Sequence, residues 1–170
     1  MKHVFLPPSE LEHRRLPRTV PRLFLAGTIE MGTAVDWQTA MINNPIFDAF
    51  HEVAIFNPRR QSWDPSWEQS IENVKFKQQV DWELDRIMES HLTVFNFEAE
   101  SKSPITLMEL GLVAGLKKNA LVYCPDGFWR KGNVEIITER FGIRLVNNRE
   151  RFIYEADRML RIIADSLTNL

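Results

Sequence analysis

From position 22 onward the chain alternates short runs of consecutive apolar residues with longer stretches whose apolar residues recur at helical spacing. The runs at 22–26 (RLFLA), 52–56 (EVAIF), 91–97 (HLTVFNF), 119–124 (NALVYC) and 142–146 (GIRLV) are predicted strands. Helices are predicted at 35–50, 69–90, 105–117, 132–140 and 149–167. Strands without polar alternation are covered on both faces, and strands alternating with helices pair in parallel through crossover connections. The expected fold is therefore α/β: a three-layer, doubly wound, five-stranded and mainly parallel sheet with flavodoxin-like order.

Residues 1–21 break this texture, with Pro7, Pro8, Pro17 and Pro21 among charges. Proline fixes φ and removes a donor, so this segment reads as an extended proline-rich arm over the domain or across a partner subunit. Residues 22–170 are expected to form one domain, within the usual range of roughly 100–200 residues. One long connection stands out, 57–70 (NPRRQSWDPSWEQS). Loops longer than about 12 residues are usually functional or disordered, and two tryptophans favour a functional one.

Composition narrows the function classes. Acidic and basic residues are mixed, with a net charge of −2, so nothing points to a nucleic-acid polymer as partner. No apolar stretch approaches the ~20 residues of a membrane span, and the start MKHVFLPP lacks a signal peptide's apolar run. The single cysteine, Cys124, excludes an internal disulfide framework and suits a reducing compartment, so the expected location is cytoplasmic. The four histidines are scattered without ligand spacing; neither a metal nor a cofactor is expected.

In a doubly wound sheet, ligands bind beyond the carboxyl ends of the strands. There the sequence places Gly27 and Thr28, Asn57 to Arg60, Asn96 to Glu109, and Pro125 to Asn133. The segment SPITLMELGLVAGLKK carries the sharpest signal. Ser103 before Pro104 reads as a helix cap with proline at the first helical position. The helix that follows is apolar nearly all round, which predicts burial, and Glu109 is its only charge before Lys117. A buried carboxylate is paired, protonated or functional.

On the preceding helix, in VDWELDRIMES, Asp81 and Asp85 share a face while Glu83 lies toward the other side. At least two of these acids are expected on a solvated face. Arg59 and Arg60, at a strand end, suit phosphate or carboxylate recognition, although an arginine taken alone is more often an ordinary surface charge or the partner of an acid such as Glu109. Trp63, Trp67 and Trp129 lie in loops, where a planar ring can stack a nucleobase or simply close over the core.

Taken together, LFLAGTI, NPRR with SWD, WELDRI and SPITLMELG, in this order and spacing, resemble the nucleoside 2-deoxyribosyltransferase family, in its divergent deoxyribosyltransferase-like branch. The resemblance spans about residues 22–140. It implies a retaining enzyme of two steps: Glu109 attacks the anomeric carbon of a 2′-deoxynucleoside, the base departs, and a second base or water releases the sugar. It also implies a base-side carboxylate at Glu83, where the family usually has aspartate. Asn133 would be lent to a neighbouring subunit's sugar site, making the active unit a homodimer or a larger homo-oligomer. Gly27 would allow close approach to the ligand, with Thr28, Asn57 and Trp63 around it.

One departure bears on the substrate. Transferases of the family carry aspartate six residues before the nucleophile, against the sugar 5′-hydroxyl; here stands Ser103. The related 2′-deoxynucleoside 5′-phosphate N-hydrolases carry serine there, against a phosphate. Nucleobase exchange on deoxynucleosides is thus the first expectation, and hydrolysis of deoxynucleoside monophosphates the alternative. A non-catalytic nucleotide-binding module is a third reading, since many doubly wound domains only sense ligands. A solitary acid in an apolar helix speaks against it.

Overall fold

The computed structural model describes residues 1–9, 12–29 and 35–169. Its sheet is entirely parallel and has six strands: β1 (Lys2–Phe5), β2 (Arg22–Gly27), β3 (Val53–Phe56), β4 (Leu92–Asn96), β5 (Ala120–Tyr123) and β6 (Arg144–Val146). They lie in the order β1-β3-β2-β4-β5-β6. Without β1 this is the flavodoxin-like order 2-1-3-4-5.

The extra strand corrects the expected count of five. It comes from the arm, where Lys2 to Phe5 pair with Val53 to Phe56 on the sheet's edge. Four residues ahead of Pro7 carry little apolar periodicity, so only the ready-made edge of β3 reveals the strand. Beyond it, the Trp82 indole N–H donates to the Ser9 carbonyl at 2.7 Å. His13 is buried, with Nδ1 accepting from Arg86 at 2.9 Å and Nε2 lying 2.6 Å from Glu89. Burial and the Arg86 charge hold its pKa below the ordinary histidine value. The described part of the arm thus lies against its own chain.

The helices are α1 (Trp37–Ile42), α2 (Val74–Glu89), α3 (Pro104–Gly115), α4 (Lys131–Phe141) and α5 (Arg149–Thr168). Side chains alternate across each strand, so the strands feed two cores. Leu23, Leu25, Leu92, Val94 and Leu121 pack with Trp37 and Met41 of α1 and with Phe152 and Leu160 of α5. Phe24, Phe56, Phe95, Phe97 and Val122 pack with Trp82 of α2, Leu110 of α3 and Val134 of α4. This gives the three layers.

Two predicted helices are shortened by their asparagines. The expected 35–50 helix stops at Ile42, because Asn44 precedes Pro45 and caps a separate 3-10 turn, Pro45–Ala49. The 69–90 helix begins only at Val74, where the Asn73 side chain accepts from the amides of Lys75 and Phe76. The long loop accordingly runs to Asn73.

Candidate active site

β2 lies between β3 and β4, so the chain reverses its winding at the β2/β4 boundary, the switch point at which doubly wound folds bind ligands. Two segments meet there. The Thr28 amide donates to the Asn96 carbonyl at 3.1 Å. A Cβ on Gly27 would lie 2.6 Å from that carbonyl and 2.7 Å from the Trp37 ring. Gly27 is therefore required by the approach of β4 and α1, which accounts for it without a ligand.

Thr28 belongs to a cluster of three buried hydroxyls. Its Oγ1 lies 3.0 Å from Ser101 Oγ and 2.6 Å from Ser103 Oγ, and the two serines are 2.7 Å apart. Ser103 does not cap α3 with its side chain, contrary to the expectation, although Pro104 does occupy the first turn. Its hydroxyl turns into the cluster, and its backbone is left-handed, with φ 43° and ψ 50°. That conformation costs a non-glycine residue about 1–3 kcal/mol and persists where neighbours over-determine it, often at functional sites.

The carboxylates divide clearly. Asp81 and Asp85 are exposed, with Asp81 paired to Lys77. Glu83 turns inward and accepts from Gln79 Nε2 at 2.8 Å. Burial pushes its pKa up to about 7, despite that hydrogen bond. Glu109 is buried on α3 and makes no hydrogen bond or ion pair among the described residues. Burial, and then the Glu83 charge, push its pKa well above the usual carboxylate range. The structure thus brings the two predicted catalytic residues together. The start of α3 does not hold Glu109 ionised, as it would a carboxylate in the first turn. Glu109 is the sixth residue of the helix, past the amides of the first turn, and meets a second acid instead of a cation.

The expected burial of α3 also changes. α3 is not buried all round: Ile105, Met108 and Leu116 are exposed. On neighbouring α4 and its loop, Ile136, Phe141 and Trp129 are exposed as well. A groove between these helices is lined by Leu107, Leu110, Asn133 and Phe141, among others. Asn133 lies exposed within the first turn of α4, which starts at Lys131, so it is not that helix's cap.

The loop after β3 holds the remaining predicted residues. Asn57 accepts from the Arg59 amide at 3.0 Å, forming the turn that presents the arginines. Arg59 faces Asp36, 3.4 Å away at the start of α1. Arg60 turns the other way, bonding Ser62 and Gln78 and lying 5.0 Å over the Trp67 ring. Trp63 packs edge-on against Trp67, centroids 5.1 Å apart, and near Phe76. It closes over its own loop, while its indole N–H is buried with no acceptor among the described residues.

Four polar residues beside the site carry no motif of their own: Asn96, Glu98, Ser101 and Arg149. The first three fall at the end of β4 and in the polar run that follows it, a usable signal; Arg149 is some fifty positions away and carries none. Among the described residues no group of three or more His, Cys, Asp or Glu could hold a metal ion. No described helix is long and apolar enough to cross a membrane.

Fold and site together define a doubly wound α/β protein with a buried pair of carboxylates beside a hydroxyl-lined switch point. A family model described as "Nucleoside 2-deoxyribosyltransferase like" matches residues 20–128, more than half of the chain, and the chain belongs to that family. The family is generally one of enzymes. Among solved structures, a conserved protein from Enterococcus faecalis V583 superposes with a TM-score of 0.60 at 10% identity, over 82% of this chain and 99% of the other. At that identity the likeness concerns the fold alone. No curated protein matches the sequence.

Proposed function

We propose that the protein breaks the N-glycosidic bond of a 2′-deoxynucleoside-type substrate, with Glu109 as covalent nucleophile and Glu83 handling the proton of the departing base. The observation that carries this reading is the Glu83–Glu109 pair, two inward acids whose pKa values burial raises, with the Glu83 charge raising Glu109 further and no cation paired to Glu109 among the described residues. Two such groups share one proton over a pH range and titrate as a pair. In the productive arrangement Glu109 is ionised and Glu83 protonated. Glu109 then bonds to the anomeric carbon as the C–N bond breaks, and the base leaves with the proton from Glu83. A second base, or water, then gives its proton to the Glu83 carboxylate and displaces Glu109 from the sugar, the two inversions giving net retention. With a base as acceptor the enzyme is a deoxyribosyltransferase, which is the first reading.

The hydroxyl cluster favours a second reading, a hydrolase of 2′-deoxynucleoside 5′-monophosphates. Thr28, Ser101 and Ser103 present neutral donors at a helix start, whereas a carboxylate there would repel a phosphate. Arg59, ion-paired with Asp36, and Arg60, bonded to Ser62 of the loop and Gln78 of α2, are the cations that would assist.

Chromatography of free base released from deoxynucleosides and their monophosphates tests the reaction. Rising pH first removes one proton from the pair, which switches activity on, and then the second, which switches it off. The acidic limb of kcat/KM is expected near pH 7 and not near 4.5. Absence of free base with every substrate would refute the reading.

The assembly proposed is a homodimer or larger homo-oligomer in which a second copy covers the exposed α3/α4 face and receives Asn133. Glu109→Ala and Asn133→Ala proteins, each inactive alone, are expected to regain activity when mixed under subunit exchange, because each mixed dimer restores one complete site. Self-contained sites would show no recovery.

A further inference from the structure

Asn96, fully buried at the end of β4, is tied by its side chain to the first turn of α5. Its Oδ1 accepts from Arg149 Nη1 at 3.3 Å, and its Nδ2 donates to Glu98 Oε1 at 2.9 Å. Arg149 Nη2 closes the triangle by reaching both oxygens of Glu98, at 2.5 and 2.6 Å. The guanidinium also lies 4.9 Å from the Tyr123 ring centroid. Glu98 in turn holds Ser101: its carbonyl accepts from the Ser101 amide at 3.1 Å and from the Ser101 hydroxyl at 3.0 Å. Ser101 then meets Ser103, 2.7 Å away in its left-handed conformation.

We propose that Arg149 is a positioning residue for the 5′ end of the substrate, acting through Glu98 to fix the β4–α3 loop so that the Ser101 and Ser103 hydroxyls stand where a 5′-phosphate is bound. The proposal rests on the functional reading above. An exposed ion pair taken alone contributes little. This one reaches both carboxylate oxygens, is shared with a buried asparagine and lies over an aromatic ring, which uses the planar fork of arginine and cannot be copied by lysine. It is also two hydrogen bonds from a strained residue, and misplacing a substrate-positioning group by about 1 Å can lower rates by a factor of about 100.

The test uses the full-length chain with Arg149→Met and Arg149→Lys. For a deoxynucleoside monophosphate, Arg149→Met is expected to raise KM about tenfold with kcat nearly unchanged. Its preference for the monophosphate over the nucleoside falls accordingly, and Arg149→Lys recovers part of it. Equal losses on both substrates, or a fall in Tm without any change in KM, would show a merely structural role and overturn the proposal. If the wild-type protein turns over neither substrate, the functional reading fails by itself. Arg149 is then judged by inorganic phosphate: phosphate should slow hydrogen exchange at the Thr28, Ser101 and Ser103 amides in the wild type but much less in Arg149→Met. Equal slowing in both would overturn it.

Discussion

Glu109→Gln is expected to lose at least about a thousandfold in turnover and, at pH 8, to melt at a higher temperature than the wild type. The loss follows because no other carboxylate on α3 can form the bond to the sugar. The gain follows from the pair's titration. A carboxyl whose folded pKa is raised favours its protonated form in the folded state. Its stabilising contribution is full below about 4.5, its unfolded value, and is lost as pH rises through the folded value. For Glu83 that window runs from 4.5 to about 7, equivalent to about 3 kcal/mol, and Glu109 is raised as well. Glu109→Gln removes the Glu109 contribution, whereas the Glu83 contribution, which comes from its own burial, stays in both proteins. The variant's Tm is therefore expected to lie above the wild type's at pH 8. At pH 4 the two proteins should converge. Identical melting at both pH values would mean that Glu109 carries no strained charge, and the variant's fold would remain the control for its lost activity.

Ser103→Asp is expected to cut kcat/KM for a deoxynucleoside monophosphate by about a hundredfold or more while sparing the unphosphorylated nucleoside. Hydrogen bonds to a charged group contribute about 1.5–3 kcal/mol each, and an aspartate exchanges that attraction for repulsion between like charges. Each 1.4 kcal/mol is about a factor of ten. The aspartate also recreates the residue of the transferases that the chain resembles, so nucleoside exchange is expected to hold or improve. Steady-state kinetics on matched substrate pairs decides it. A wild-type enzyme that gains nothing from the phosphate, with a Ser103→Asp variant unharmed on nucleosides, rules out the monophosphate reading and leaves the transferase.

The parallel sheet was legible because its strands are apolar on both sides of the pleat, from Leu23 to Ala26 as in Val53 to Phe56. β1 was not, since Lys2 to Phe5 become a strand only against the edge of β3. Glu109 and Glu83 were legible from residue type and helical position, one as the lone charge of an apolar helix and the other as the acid off the Asp81–Asp85 face. Their raised pKa values were not, because burial follows from α2 and α3 covering the same core on one face of the sheet. Ser103 precedes α3 as expected, but its side chain does not cap the helix. Its place before Pro104 suggested a cap, whereas its left-handed backbone turns the hydroxyl toward Thr28, seventy-five positions away. The exposed side of α3 was misread because an apolar helix face looks the same whether it meets the core or a partner.

The most direct test of the central claim is to trap the sugar on the enzyme. A 2′-deoxy-2′-fluoro nucleoside, with its monophosphate in parallel, slows release of the glycosyl-enzyme by destabilising the oxocarbenium-like transition state. Peptide mass spectrometry of the quenched protein should then find one added sugar, on the peptide containing Glu109, and none on Glu109→Gln. Free base released with no sugar on Glu109, or with the sugar on another residue, would contradict the account.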